Sequence, residues 1–196
     1  MAEKPKLTSG LQVNTPTTRK ENPVLEVKIV LLGDTGVGKS SISTRFSQNK
    51  FQESHEVTIG GAYFQHQIAL ANGSIVKMHI WDTGGAERFR SLTPMYYKDS
   101  IAAIITYDIT HSKTLNAAED WLRELGGYKD LKKMVLVLAA NKCDMEPEDK
   151  FIIARGKQIA EKNGMIFKQT SAKTGAGIQE LFRSLTDAVC TQLAKN

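Results

Sequence analysis

An eight-residue stretch, GDTGVGKS, has the composition and spacing of a loop that holds phosphate groups. Its glycines allow backbone N–H groups to wrap round phosphate oxygens, and a helix that begins here adds positive potential. Lys39 is expected to reach the β- and γ-phosphates of a nucleotide, and Ser40 is expected to ligate Mg²⁺ through its hydroxyl group. The residues predicted to bind the phosphates are Gly33, Asp34, Thr35, Gly36, Val37, Gly38, Lys39, Ser40 and Ser41.

An ordinary glycine turn with a surface lysine is the alternative interpretation of this stretch. Such a turn would require neither the apolar strand LEVKIVLLG before it nor the helix predicted after it. Both flanks therefore favour the phosphate-binding loop. The motif does not identify the nucleotide, because nucleotide kinases contain it too. A nucleotide kinase stays an alternative, and it would transfer phosphate to a second nucleotide.

The motif NKCD, which follows another apolar strand, indicates the base. The carboxylate of Asp144 can accept hydrogen bonds from the N1–H and 2-amino groups of guanine. Adenine has neither donor, so burying Asp144 against adenine would cost about 1–3 kcal/mol. Asn141 is expected to tie neighbouring loops together and to meet the N7 and O6 side of the base, while Lys142 can lay its stem over the base plane.

A second short motif, SAK, comprises Ser171, Ala172 and Lys173 at the end of the next predicted strand. Its Ala172 N–H group is placed to meet guanine O6. NKCD alone would also fit a polar turn that caps a helix, but SAK weakens that alternative. Together with the phosphate-binding loop, the two motifs predict that the chain binds GTP and GDP with Mg²⁺.

All these motifs lie at the carboxyl ends of predicted strands, where ligands bind to parallel sheets. The alternation of strands and helices predicts a three-layer α/β domain, with a six-stranded, mostly parallel sheet, one antiparallel edge strand and about five helices. The pair Asn72-Gly73 predicts a hairpin between the second and third strands. The predicted strands are 25–33, 62–70, 74–82, 101–109, 134–142 and 165–171, and the four helices that the pattern locates are 40–49, 113–128, 148–162 and 177–194.

The composition of the chain, 41% hydrophobic and 24% charged over 196 residues, is that of a soluble single-domain protein. Its net charge of +5 is spread along the sequence, so we expect no nucleic-acid partner. No apolar run approaches the roughly 20 residues of a membrane helix, and the polar N-terminus does not resemble a signal peptide. Residues 1–24 lack an apolar period and are predicted to form a flexible arm before a domain at 25–194.

The segments KMHIWDTGGAERFRSL, MYYKDS and TIGGAYF, together with the motifs above, resemble the Rab family of the Ras superfamily of small GTPases over residues 25–190. PMYYK and WLREL are most similar to the early-endosomal branch of that family. The resemblance implies a P-loop GTPase fold and a switch that cycles between GTP and GDP states to recruit effectors in vesicle trafficking. It also implies an exchange factor and a GTPase-activating protein as partners, which meet the chain at its two switch segments.

The resemblance assigns roles to four further residues around the nucleotide. Phe51 matches the aromatic residue that packs edge-on against the guanine, and Thr58 matches the switch I threonine that binds Mg²⁺ and senses the γ-phosphate. Asp82 matches the aspartate that holds the metal through a water molecule, and the Gly85 N–H group matches a contact to the γ-phosphate. Loss of the γ-phosphate would then release both loops.

Three aromatic residues match the positions through which Rab proteins contact effectors. They are Tyr63, Trp81 and Tyr96, and Tyr63 stands where phenylalanine is usual. Tyr63 also falls on the opposite face of its strand from Phe64 and Ile68, which favours an exposed position over a core position.

Ala86 stands at the position where small GTPases carry the glutamine that orients the attacking water. A methyl group neither donates nor accepts a hydrogen bond, so we expect very slow intrinsic hydrolysis even with Gly85 and Lys39 in place around the reacting phosphate. Rab-directed activating proteins supply an arginine and a glutamine in trans, and such a partner would rescue turnover. The alternative is a constitutively GTP-bound scaffold that no activating protein resets.

The location of the protein is predicted less directly. We expect a cytoplasmic monomer. Contact with endosomal or other vesicle membranes is expected only through a lipidated tail, which Rab proteins usually carry and which the ending CTQLAKN does not provide.

Overall fold

The computed structural model of the protein describes residues 24–53, 57–70, 73–85 and 93–195. Within these residues, six strands form one sheet, and five helices pack on it. The strands are β1 (Val24–Leu32), β2 (Gly61–Ala69), β3 (Ile75–Thr83), β4 (Ala102–Asp108), β5 (Val135–Asn141) and β6 (Ile166–Gln169). The helices are α1 (Lys39–Gln48), α2 (Thr93–Tyr97), α3 (Lys113–Tyr128), α4 (Ile152–Lys162) and α5 (Ile178–Leu193), with one 3-10 turn at Leu131–Lys133.

The strand order is β2-β3-β1-β4-β5-β6. β2 runs antiparallel to β3, and the other neighbouring strands are parallel. The chain passes from β3 on one side of β1 to β4 on its other side, so the order reverses at β1. In open α/β sheets this reversal leaves a crevice at the carboxyl end of the strands, which is where the loop after β1 lies.

Apolar side chains fill both faces of the sheet because successive strand residues point in opposite directions. Ile29 and Leu31 of β1 belong to one core with α1 and α5, and Val30 and Leu32 belong to the other core with α3 and α4. Full burial of each such side chain stabilises the fold by about 1.5–3 kcal/mol. The largest fully buried side chains on the helices are Trp121, Tyr97, Phe182 and Ile42.

The predicted fold class is confirmed, with six strands, one of them antiparallel, and five helices. The periodic pattern located α3 at its observed bounds and α5 to within one residue at each end. The predicted hairpin is confirmed by the pairing of β2 with β3 and by the Leu70 N–H, which donates to Ser74 O at 2.8 Å. Gly73 has φ +82°, while Asn72 lies outside the described residues.

The helix predicted at 148–162 starts four residues too early, because the corresponding helix, α4, begins at Ile152. Polar side chains hold the preceding segment in a turn instead. Glu148 accepts a hydrogen bond from the Ser112 N–H group, and Asp149 Oδ1 accepts one from the Phe151 N–H at 2.8 Å. The Asp149 carboxylate is a local side-chain acceptor of the kind that competes with helix formation, whereas the Glu148 carboxylate is held by a residue 36 positions away.

The remaining differences are small. The last strand is shorter than predicted, since β6 ends at Gln169. The fifth helix, α2, is one that the sequence pattern did not locate. The predicted arm at 1–24 lies almost wholly outside the described residues. Within the part of the chain that is described, no helix is both long and apolar enough to cross a membrane.

Candidate functional site

A cavity of about 450 Å³ lies where the loops after β1, β3, β5 and β6 meet. The predicted site residues that line it are Thr35, Gly36, Gly38, Lys39, Ser40, Ser41, Phe51, Thr58, Gly85, Asn141, Lys142, Asp144, Ala172 and Lys173. The predicted nucleotide-binding and metal-binding residues that are described but do not line it are Gly33, Asp34, Val37, Asp82 and Ser171. Ala86 lies outside the described residues, so its predicted role stays a prediction.

The loop after β1 has the features of an anion site. α1 begins directly after Gly38, which has no side chain to cap the helix, and its first turn contains no acidic residue. The first backbone N–H groups of a helix have no partner within the helix, and they attract anions such as phosphate. This end of the cavity can therefore hold the phosphates of a nucleotide.

Lys39 supplies the positive charge at the same end. Its side chain is only 5% exposed, and its Nζ donates to the carbonyl oxygens of Gly33 and Asp34 at 2.7 and 2.8 Å. Burial lowers the pKa of the Lys39 ammonium group to about 8, although the nearby carboxylates of Asp82 and Asp34 oppose that effect. A bound anion would favour the charged form and offset the cost of burying it.

Asn141 ties the phosphate end of the cavity to the sheet, as predicted. Its Nδ2 donates to Val37 O at 2.8 Å, and its Oδ1 accepts a hydrogen bond from the Thr170 hydroxyl at 3.2 Å. Gly38 has φ +97°, and a Cβ added there would overlap the Asn141 amide. Glycine is therefore required at position 38, because of its positive φ and because a side chain there would displace the Asn141 amide.

Three oxygen-bearing side chains meet beside the phosphate loop and fit a magnesium site. The Ser40 hydroxyl lies 2.8 Å from Thr58 Oγ1 and donates to Asp82 Oδ2 at 2.5 Å. Mg²⁺ prefers hard oxygen ligands. The described residues contain no cluster of three His, Cys, Asp or Glu side chains that could hold a metal, so hydroxyl groups would have to supply part of the coordination here.

Gly85 lies against the backbone of the phosphate loop. A Cβ at this position would overlap the carbonyl group of Asp34 and the amide nitrogen of Thr35. The backbone after β3 is also held to the segment before β2, because the Gly84 N–H donates to Gly60 O at 2.9 Å. Thr58 and Gly85, one from each predicted switch segment, line the same cavity as the phosphate loop.

The opposite end of the cavity contains the residues predicted to recognise the base. Asp144 is exposed and lines the cavity, and Phe51, Ala172 and Lys173 line it too. Lys142 has φ +65°, and its Nζ lies 2.5 Å from Asp108 Oδ2. That pairing fixes the outer end of the lysine, and Lys142 lines the cavity, while its predicted contact with the base plane stays a prediction.

Asp108, which the sequence did not single out, anchors this lysine from the end of β4. Its side chain is 4% exposed, and its Oδ1 also accepts hydrogen bonds from the Thr110 N–H and hydroxyl groups at 2.9 and 2.7 Å. Burial alone would raise the pKa of Asp108, but the hydrogen bonds from Lys142 and Thr110 outweigh burial and hold its pKa below the ordinary value.

This depressed pKa gives a pH-dependent contribution to stability. Replacing Asp108 by asparagine should lower the unfolding free energy by about 1–3 kcal/mol near pH 7, because Lys142 loses its charged partner. Stability from a carboxyl group with a lowered pKa is present above its unfolded value and is lost as pH falls through the folded value. The difference between the variant and the natural protein should therefore shrink below about pH 4.

Denaturant unfolding measured from about pH 7 to pH 3 checks this expectation. Asp120→Asn is the matched control, because Asp120 is an exposed residue paired only on the surface of α3 with Arg123. It should change stability by no more than about 0.5 kcal/mol. A deficit of Asp108→Asn that stays constant down to the lowest pH would contradict the assigned charge.

The three predicted effector residues form one partly exposed aromatic cluster, defined here as Tyr63, Trp81 and Tyr96. The ring centroids of Tyr63 and Trp81 are 5.4 Å apart, and those of Trp81 and Tyr96 are 5.7 Å apart. Tyr63 is 48% exposed, as its strand position predicted. Lys28 Nζ lies 5.1 Å from the centroid of the Trp81 ring, which adds a cation–π contact.

Several contacts at the site were missed by sequence reasoning. Gln52, Glu53, Val57, Thr83 and Met145 also line the cavity, and each adjoins a predicted residue in the chain or the next position along. Their closeness in sequence to predicted residues was the signal that could have indicated them. The Trp121 Nε1–H donates to Asp34 Oδ1 at 3.2 Å, which links α3 to the phosphate loop. No local pattern could have indicated that pairing across 87 positions.

Comparisons with known proteins agree with this geometry. Residues 28–191 match the profile of the Ras family. The chain is 45% identical to Ras-related protein Rab5 of Nicotiana tabacum over 158 residues, which cover 81% of this chain and 78% of that protein. It is 39% identical to Ras-related protein Rab-5B of Plasmodium falciparum over 189 residues, 94% and 90% of the two chains. The chain therefore belongs to the Ras family, as one of its Rab5-like members.

Proposed function

We propose that this protein is a guanine-nucleotide-binding switch that alternates between GTP-bound and GDP-bound states with Mg²⁺. One observation carries the proposal: a single cavity has an uncapped helix N-terminus with a buried lysine at one end and Asp144 at the other. The first end suits phosphates, and the second suits the N1–H and 2-amino edge of guanine.

Ser40, Thr58 and Asp82 are the residues that would hold the metal. When bound, Mg²⁺ would neutralise charge on the phosphates during hydrolysis. Lys39 would place its ammonium group on the same phosphates, and the N–H groups at the start of α1 would orient them. Thr58 and Gly85 lie on the two segments that meet the phosphate end, so only a triphosphate would hold both segments in place.

The direct test is the nucleotide found on the purified protein. We expect a guanine nucleotide in about a one-to-one ratio, and we expect chelation of the metal with EDTA to accelerate its release. Preference for ATP, or retention of neither nucleotide with magnesium present, would overturn the proposal. ATP preference with phosphate transfer to a second nucleotide would point to the kinase alternative.

We further propose that intrinsic hydrolysis is slow because Ala86 cannot orient the attacking water. A Ras-like enzyme with its glutamine hydrolyses GTP at only about 10⁻⁴ s⁻¹ on its own. The chain would then depend on an activating protein to return to the GDP state. Single-turnover hydrolysis of GTP-loaded protein tests this, and a rate equal to that of an ordinary small GTPase would mean that another group positions the water.

The second candidate function is a constitutively GTP-bound scaffold, which the same alanine favours. Adding a Rab-directed activating protein separates the two functions. Acceleration supports the switch, because the partner supplies the missing groups. Unchanged hydrolysis supports the scaffold.

We also propose partners and a place of action for the protein. The aromatic cluster would contact effectors in the GTP-bound state, since it adjoins both switch segments and its rings are partly exposed. The resemblance to the early-endosomal branch supports a role in vesicle trafficking on endosomal membranes, with an exchange factor and an activating protein as further partners.

Replacing Gly85 by alanine tests the contact between the second switch segment and the phosphate loop. The added methyl group would overlap the loop backbone, so the segment must move away from the γ-phosphate position. We expect GTP affinity to fall at least about tenfold and GDP affinity to change much less. Equilibrium competition between the two nucleotides measures both effects.

Gly127→Ala is the matched control for this variant. A Cβ at Gly127, on the exposed side of α3, would meet no atom within 4 Å. Neither nucleotide affinity should change in that control. Equal losses of GTP and GDP affinity in Gly85→Ala would contradict a role specific to the triphosphate.

A further inference from the structure

We propose that Arg45 is a positioning residue for base recognition, which holds the SAK loop (171–173) so that the Ala172 N–H group can meet O6 of the base. Arg45 lies on α1, five positions after the proposed metal ligand Ser40. It does not line the cavity, whereas Ala172 and Lys173 do. The inference rests on the proposed binding of guanine and identifies a residue that acts on it from outside the cavity.

The guanidinium of Arg45 donates two hydrogen bonds to the backbone of the SAK loop. Its Nε donates to Ala172 O at 2.7 Å, and its Nη2 donates to Lys173 O at 2.6 Å. Hydrogen bonds from a charged donor are roughly twice as strong as neutral ones. The contact joins residues 127 positions apart, so it fixes the loop relative to the helix that begins at the phosphate end.

The geometry of the peptide group explains how this contact orients donors. In a trans peptide the C=O and N–H groups point in opposite directions. Because the Ala172 carbonyl points to Arg45, the Lys173 N–H group in the same peptide must point away from the guanidinium. The preceding peptide, which carries the Ala172 N–H group, is held on its carbonyl side by the Gly175 N–H, which donates to Ser171 O at 2.8 Å. Arg45 therefore acts on the Ala172 N–H through the adjoining peptide, which shares the Ala172 Cα with it, and with both carbonyl groups held the two loop peptides have a fixed orientation.

Arg45 also closes the C-terminus of its own helix, and that role must be separated from the proposed one. Its Nη1 donates to the backbone oxygen of Asn49 at 3.1 Å and to Asn49 Oδ1 at 3.2 Å. Asn49 has φ +53°, a conformation that glycine adopts without strain. Asn49→Gly removes the side-chain part of this cap and leaves both contacts to the SAK loop, which makes it the matched control.

We expect lysine not to replace arginine at this position. A guanidinium presents several donors in a rigid fork and can bridge two carbonyl groups, whereas an ammonium group is a single flexible point charge. Arg45→Lys therefore keeps the charge and loses the geometry, and Arg45→Met keeps most of the apolar stem without charge.

The experiment measures the dissociation of three nucleotides from the full chain with Mg²⁺. GDP has both O6 and the 2-amino group, IDP lacks only the 2-amino group, and 6-thio-GDP replaces O6 by sulfur, which is a weak acceptor. We expect both Arg45 variants to accelerate GDP and IDP dissociation about tenfold, because both bases use O6. Release of 6-thio-GDP should change much less, and Asn49→Gly should release all three nucleotides at the natural rates.

Three other outcomes of this experiment can be distinguished. Equal acceleration of all three nucleotides, or the same acceleration in Asn49→Gly, would show that Arg45 only stabilises the fold and would overturn the inference. Natural rates in both Arg45 variants would overturn it too. If the natural protein retains no guanine nucleotide at all, the proposed function fails first, and thermal unfolding of each variant shows that the protein under test is folded.

Discussion

Replacing Asp144 by asparagine should change the base preference of the site from guanine to xanthine. The asparagine amide would present an N–H donor where guanine also has a donor, its 2-amino group, and the two would repel. Xanthine carries an oxygen at that position and would accept the new hydrogen bond. We expect GDP affinity to fall about 100-fold and xanthosine diphosphate affinity to rise by a similar factor.

Competition between the two diphosphates for the metal-bound protein measures this change. Glu146→Gln is the control, because Glu146 is exposed in the same loop and does not line the cavity. It should keep the natural preference for GDP. If Asp144→Asn also kept that preference, another group would have to recognise the base, and the assignment of Asp144 would be wrong.

Introducing glutamine at position 86 should accelerate GTP hydrolysis by at least about tenfold. The side-chain amide can both donate and accept a hydrogen bond, so it can orient a water molecule for attack on the γ-phosphate, which alanine cannot do. Ala86 lies outside the described residues, and this expectation rests on the sequence motif and on the chemistry of the reaction.

Single-turnover hydrolysis of the GTP-loaded protein is the measurement for this variant too. Ala86→Leu provides the control, because leucine is comparable in size to glutamine but has no hydrogen-bonding group. Its rate should match that of the natural protein. Equal rates for the glutamine and leucine variants would mean that slow turnover, if observed, has a cause other than the residue at position 86.

Much of the fold could be predicted because apolar periodicity and turn residues in short stretches of sequence indicated its helices and strands. The pattern located α3 at its observed bounds, and this helix buries four large apolar residues, Leu115, Trp121, Leu122 and Leu125. The hairpin between β2 and β3 followed from a turn signal, and the motifs fell at the carboxyl ends of strands as expected. The start of α4 was wrong because Asp149 accepts a local hydrogen bond from the Phe151 N–H and Glu148 accepts one from the distant Ser112 N–H, and helix periodicity reveals neither contact.

The contacts that hold the site together were less accessible to sequence reasoning. The sequence placed Lys39 and Asp144 in candidate motifs because those motifs are short and contiguous, and both residues line the cavity. Arg45, Asp108 and Trp121 act on motif residues from other elements of the fold. Their partners are distant in the sequence, so only the folded chain shows which residues meet.

The hydrogen bond from Trp121 to Asp34 gives the protein a built-in optical reporter. The sequence has two tryptophans, Trp81 in the aromatic cluster and Trp121 behind the phosphate loop. The Trp121→Phe variant would contain only Trp81, so its tryptophan emission would report on the aromatic cluster. The Trp81→Phe variant would contain only Trp121, whose ring nitrogen contacts the phosphate loop. Emission spectra of the two variants during nucleotide exchange would follow the two regions separately, without an attached dye.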